Sequence, residues 1–109
     1  MAAPVFDFEV DSCDTEVTVR LQGELDLSSA RVLDAATHDL ATRESVHLVF
    51  DFEDLTFLDS EGVKVLLEIR RKVRGANGSL EIVRCRRDVG RVFEILGFLE
   101  YLCVRVAEA

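Results

Sequence analysis

The 109-residue chain has no tryptophan, one proline and two histidines, and its three cysteines are scattered. Each scarcity excludes something. Cys13, Cys85 and Cys103 show no CxxC spacing, and His38 and His47 stand alone. The ligand set of a zinc site is therefore missing, and no metal or cofactor is expected. An odd thiol count fits a reducing compartment better than a disulfide framework. No apolar run approaches the ~20 residues of a membrane span, and no charged-then-apolar leader opens the chain. A soluble, cytoplasmic domain without a membrane partner is expected.

Basic residues are also short. The formal net charge of -8 argues against a nucleic-acid binder, which needs Lys and Arg in excess to meet phosphates. The deficit is uneven: residues 1–60 hold 3 basic and 14 acidic residues, whereas 61–109 hold 10 and 7. The late cations cluster at Arg70-Arg71-Lys72 with Arg74, and at Arg84 with Arg86-Arg87. They read first as solvated helix ends and, alternatively, as one basic face for an acidic partner patch.

What is present is a regular alternation of patterns. The length predicts one domain, 1–109. Phe6, Phe8 and Val10 alternate with acids, and Val17, Val19 and Leu21 alternate with polar residues, across a turn at Asp11–Asp14. Two strands in a hairpin are expected. A helix should open at Leu27-Ser28-Ser29, capped by Asp26 or Ser28, and run to about Thr42 with Leu33, Ala36, Thr37 and Leu40 on one side. Val46 to Phe52 reads as a strand covered on both faces, followed by a loop over Glu53–Thr56. Leu80–Val83 is a short strand, Asp88 caps a third helix ended by Gly97, and Leu102–Val106 is a last strand with Cys103 in the core. The expected fold is α/β: a mixed sheet with an N-terminal hairpin, later parallel strands and helices packed against the sheet.

The central stretch is Leu55–Val73. Ser60 stands where a helix N-cap belongs, and a phosphate there would meet free amides and the positive end of the helix dipole. Gly62, Val65, Leu66, Ile69 and Val73 form the core stripe of the helix. Val63 and Leu67 fall outside it, either buried under a neighbour or exposed as a contact strip beside Ser60. Lys64 is spaced to pair with Glu68 or, alternatively, to reach back toward a phosphate on Ser60. No histidine is placed to activate Ser60, no Gly-x-Ser-x-Gly elbow surrounds it, and no Gly-Lys-Ser/Thr follows a glycine-rich loop. Catalysis by this chain alone is not expected, and it carries no catalytic residue on this reading.

Leu21-Gln22-Gly23-Glu24-Leu25-Asp26, then Asp54-Leu55-Thr56-Phe57-Leu58-Asp59-Ser60-Glu61-Gly62-Val63, and later Val92–Phe98, resemble the STAS domain of bacterial anti-sigma factor antagonists across essentially the whole chain. The resemblance implies a partner-switching module. Its acceptor serine would be Ser60, phosphorylated by an anti-sigma factor of the serine-kinase type and restored by a PP2C-type phosphatase. The unmodified form would bind the kinase and free a sigma factor. Asp59, Asp26 and Glu61, with Val63, Lys64 and Leu67, would form the partner surface. Many members carry a small residue and a glycine where this chain has Glu61 and Lys64. The alternatives are a STAS module that is never phosphorylated, docking in a larger regulatory or transport complex, and, from another class, a small hydrolase using Ser60 or a redox sensor using Cys13 or Cys85.

Overall fold

The computed structural model describes residues 6–108. Residues 1–5 and 109, which the expected single domain includes and where no leader was read, lie outside the described part. The chain runs β1 (Phe6–Cys13), β2 (Glu16–Leu25), α1 (Leu27–Ala41), β3 (His47–Leu58), α2 (Ser60–Gly75), β4 (Ser79–Cys85), α3 (Arg87–Leu96) and β5 (Val104–Val106). The five strands form one sheet in the order β1-β2-β3-β4-β5. The β1–β2 hairpin is antiparallel and every later pairing is parallel. This is the mixed sheet that the alternating patterns predict.

The register sets the apolar residues side by side. Val17 faces Leu48 and Leu48 faces Leu80; one step on, Val19, Phe50 and Ile82 form a second row. These rows are buried with Leu33 of α1, Leu66 and Ile69 of α2, and Val89 and Phe93 of α3. Burial of such side chains, each contributing about 1.5–3 kcal/mol, is what holds the helices on the sheet. The Phe52 and Phe93 rings stack with centroids 6.1 Å apart, seating α3. Gly97 ends that helix at φ 80, a left-handed conformation that glycine adopts without strain.

Several boundaries differ from the sequence reading. β1 continues through Cys13, so the hairpin turn is Asp14-Thr15. β3 extends to Leu58, because Asp54, Leu55, Phe57 and Leu58 pair with β2 across two register shifts; the expected loop is bulged strand. Ala36 is exposed. Arg86, not Asp88, is the N-cap of α3, and it makes no side-chain cap bond. Cys103 is exposed at φ 52 in the turn before β5, and Leu102 takes the core position instead.

Candidate functional site

The site follows from the register of β2 and β3. They are parallel, and their last paired residues are Leu25 and Leu58. The next residue in each strand, Asp26 and Asp59, is the N-cap of the following helix. Two acidic caps and two helix N-termini therefore stand together at one end of the sheet. The Asp59 amide donates to the Leu25 carbonyl at 3.4 Å, joining the two strand ends.

Each cap is locally satisfied. Asp26 accepts from the amides of Ser28 and Ser29 at 3.1 and 3.2 Å, while the Ser29 hydroxyl accepts from the Asp26 amide at 2.8 Å. This reciprocal box exposes the Asp26 carboxyl to donors. The Ser29 amide, then the Ser28 hydroxyl, hold its pKa below the ordinary aspartate value. Asp59 accepts from the Gly62 amide at 3.0 Å. The N-cap of α2 is thus Asp59, and Ser60 is the first helical residue, a correction of one position. Both residue types cap well; here the extended backbone at Asp59 aims its carboxylate at the amide three residues on. Ser60 is left exposed.

Gly62 explains the tight step. A Cβ built there would lie 2.7 Å from the Leu25 carbonyl oxygen and 2.6 Å from Leu58 Cδ1. Only a residue without a side chain lets α2 begin this close to the strand ends.

Asp26, Leu27, Ser28, Arg31 and Asp59 line an open depression of about 550 Å³. A second, of about 250 Å³, lies between α1 and α2 and includes Arg31, Glu61 and Lys64. The structure thus brings Asp26, Asp59, Ser60, Glu61 and Lys64 to one end of the molecule. Lys64 pairs with Glu61 at 3.5 Å rather than with Glu68, which Arg71 engages. Val63 is 1% exposed and packs in the core, so it offers no contact surface. Leu67 is half-buried against the same core.

Sequence reasoning missed Leu27 and Arg31. Leu27 is 57% exposed beside the Asp26 cap; its signal was an apolar residue at the first helical position, outside the spacing of Ala30, Leu33 and Thr37. It also missed Asp51, which is buried and held by Arg84 and Arg20. His47, read only as the start of a strand, lies 2.6 Å from both Ser79 Oγ and Glu81 Oε2, linking β3 to β4. Among the described residues no group of His, Cys, Asp and Glu is arranged to hold a metal ion, and no helix is long and apolar enough to cross a membrane.

A mixed sheet whose parallel strands present two capped helix N-termini, with an exposed serine between acids, defines a small α/β module built around a surface rather than an enclosed reaction chamber. A family model for the STAS domain matches residues 7–109, and the chain belongs to that family. It is 29% identical over 90 residues to BtrV of Bordetella bronchiseptica, named as an anti-sigma factor antagonist, covering 83% of this chain and 78% of that one. It is 27% identical over 94 residues to the anti-sigma-B factor antagonist of Bacillus subtilis, covering 86% and 85%. Among solved structures, the anti-sigma factor antagonist SpoIIAA in its unphosphorylated form superimposes with a TM-score of 0.79 at 25% identity, over 94% of this chain and 89% of that one. The phosphorylated form of SpoIIAA, from Bacillus, gives 0.72 at 25% identity, over 94% and 92%. The family's antagonists are regulators, and this chain is a non-enzymatic member of it.

Proposed function

We propose that this protein is an anti-sigma factor antagonist switched by phosphorylation of Ser60. In its unmodified form it binds an anti-sigma factor of the serine-kinase type in the cytoplasm, and a sigma factor is freed. The kinase transfers the γ-phosphoryl group of ATP to Ser60 Oγ, which loses its proton as ADP departs. A PP2C-type phosphatase hydrolyses the ester and restores the binding form. Relatives named as antagonists, one of them solved in both unphosphorylated and phosphorylated forms, support this reading.

The observation that carries it is the exposed Ser60 hydroxyl at the first position of α2, between Asp59 and Glu61 and beside the Asp26 cap. A phosphate there adds close to two negative charges to a surface already holding three carboxylates. The helix N-terminus tolerates it, so the fold survives and the change acts on the partner. Desolvating that charge against an apolar or acidic partner surface is costly, and each ~1.4 kcal/mol lost weakens binding tenfold. The test is incubation with the cognate kinase and labelled ATP: the wild type takes one phosphate and Ser60→Ala takes none. Equal labelling of the two would sink the assignment.

Glu61 favours a second reading, in which the module is never phosphorylated and docks in a larger regulatory or transport complex. Its fixed carboxylate follows Ser60 directly and is held by Lys64. On that reading Ser60→Asp leaves partner affinity unchanged.

A further inference from the structure

Two depressions share Leu27 and Arg31 as lining residues, and the neighbours of Ser60 in the chain line one each, Asp59 the first and Glu61 the second. Five carboxylates line these depressions, and each already has a donor. Asp26 accepts from Ser28 and Ser29, and Asp59 from the Gly62 amide. Glu61 pairs with Lys64, Asp34 with Lys72 at 2.8 Å, and Glu68 with Arg71. Two cations line the same walls. Lys64 is engaged, whereas Arg31 makes no ion pair among the described residues.

We propose that Arg31 is the internal receptor for the phosphate of phosphorylated Ser60, so that modification ties the first turn of α2 to α1 across the groove between them. This rests on the reading of Ser60 as the acceptor. The selecting feature is the unpaired guanidinium on the neighbouring helix. A phosphomonoester presents three acceptor oxygens and close to two charges, and a guanidinium meets such a group through two parallel N–H bonds. The phosphorylated form then differs from the free form by more than charge. The ion pair fills the groove, and Arg31 is withdrawn from the surface offered to a partner.

The test uses phosphoserine placed at position 60 by ligating a synthetic segment, with no kinase involved. The second ionisation of the phosphate is followed by phosphorus NMR in the otherwise wild-type chain, in Arg31→Gln and in Lys64→Gln. An opposite charge in contact lowers such a pKa by about one unit or more, so the midpoint should rise by about that much in Arg31→Gln and stay near the wild-type value in Lys64→Gln. Equal midpoints in wild type and Arg31→Gln overturn the proposal, as does a rise confined to Lys64→Gln. Because the phosphate is installed chemically, these outcomes stand whether or not a kinase modifies Ser60. Failure of kinase labelling would remove the functional reading alone.

Discussion

Gly62 lies so close to Leu25 that a Cβ on the glycine would stand 2.7 Å from the Leu25 carbonyl oxygen. The contact joins the first turn of α2 to the end of β2, and with it Ser60 to Asp26. The carbonyl is backbone and cannot rotate away as a side-chain tip can. Gly62→Ala should therefore destabilise the protein by about 1–3 kcal/mol, the usual cost of an overpacked site. Urea unfolding checks this, and a midpoint unchanged from wild type would show that the helix start can slide.

Asp59 combines a cap and a charge, and two substitutions separate them. Asn caps as well as Asp, whereas Ala does not. Asp59→Ala should cost about 1 kcal/mol through the lost bond to the Gly62 amide. Asp59→Asn should keep most of that stability while removing one of the charges beside Ser60. Thermal unfolding of the three proteins side by side decides it: Asp59→Asn falling as far as Asp59→Ala would mean that charge, not capping, holds the turn.

Val63 separates packing from contact. Truncation to Ala in a filled core removes buried methyl groups and leaves a void, for a loss of about 2 kcal/mol. Partner affinity, measured where the variant is fully folded, should not change, because the side chain has no exposed surface. A tenfold weaker complex with unchanged stability would reverse that placement.

The fold was legible because its elements keep their periods: the β2 row Val17, Val19, Leu21 and the α2 stripe each repeat without interruption. Reading failed where the chain departs from a period for a physical reason. The bulges of β3 shift its alternation, so Glu53 to Thr56 looks like a loop although the strand continues to Leu58. Cys103 interrupts an apolar run at φ 52, a conformation that the alternation cannot reveal. Asp59 and Ser60 are both good caps, and only backbone geometry distinguishes them. Val63 is buried although it lies beyond the α2 stripe, and Lys64 pairs with Glu61 while Arg71 engages Glu68. These are choices between locally equivalent options. Asp51 left a readable trace, as the lone acid inside the apolar run Val46–Phe52.

That acid carries the pH dependence. Burial alone would push the Asp51 carboxyl up, but hydrogen bonds from Arg84 and the Glu53 amide, with the charges of Arg84 and Arg20, hold it below the usual aspartate range. Its folded pKa lies below the unfolded value of about 3.9. The stabilisation is therefore complete above that value and is lost as pH falls through the folded pKa. Urea midpoints of wild type and Asp51→Asn should differ by a constant amount from about pH 5 to 8 and converge below about pH 4. A gap that persists undiminished at pH 3 would mean that the Asp51 charge is not its source.

Ser60→Asp puts fold and switch in opposition. A carboxylate at the first helical position meets the free amides and the positive end of α2, which stabilises a helix by about 0.3–1 kcal/mol. The same charge sits among Asp26, Asp59 and Glu61 on the surface proposed for the partner. Melting temperature should therefore hold or rise slightly while affinity for the anti-sigma factor falls tenfold or more, a penalty of about 1.4 kcal/mol or greater. Ser60→Ala adds no charge to that surface and should bind like the wild type. Calorimetric titration with thermal melts on the same samples gives both readings. Affinity that falls only in step with stability would trace the loss to unfolding, and affinity unchanged in Ser60→Asp would leave Ser60 as part of a constitutive surface rather than a switch.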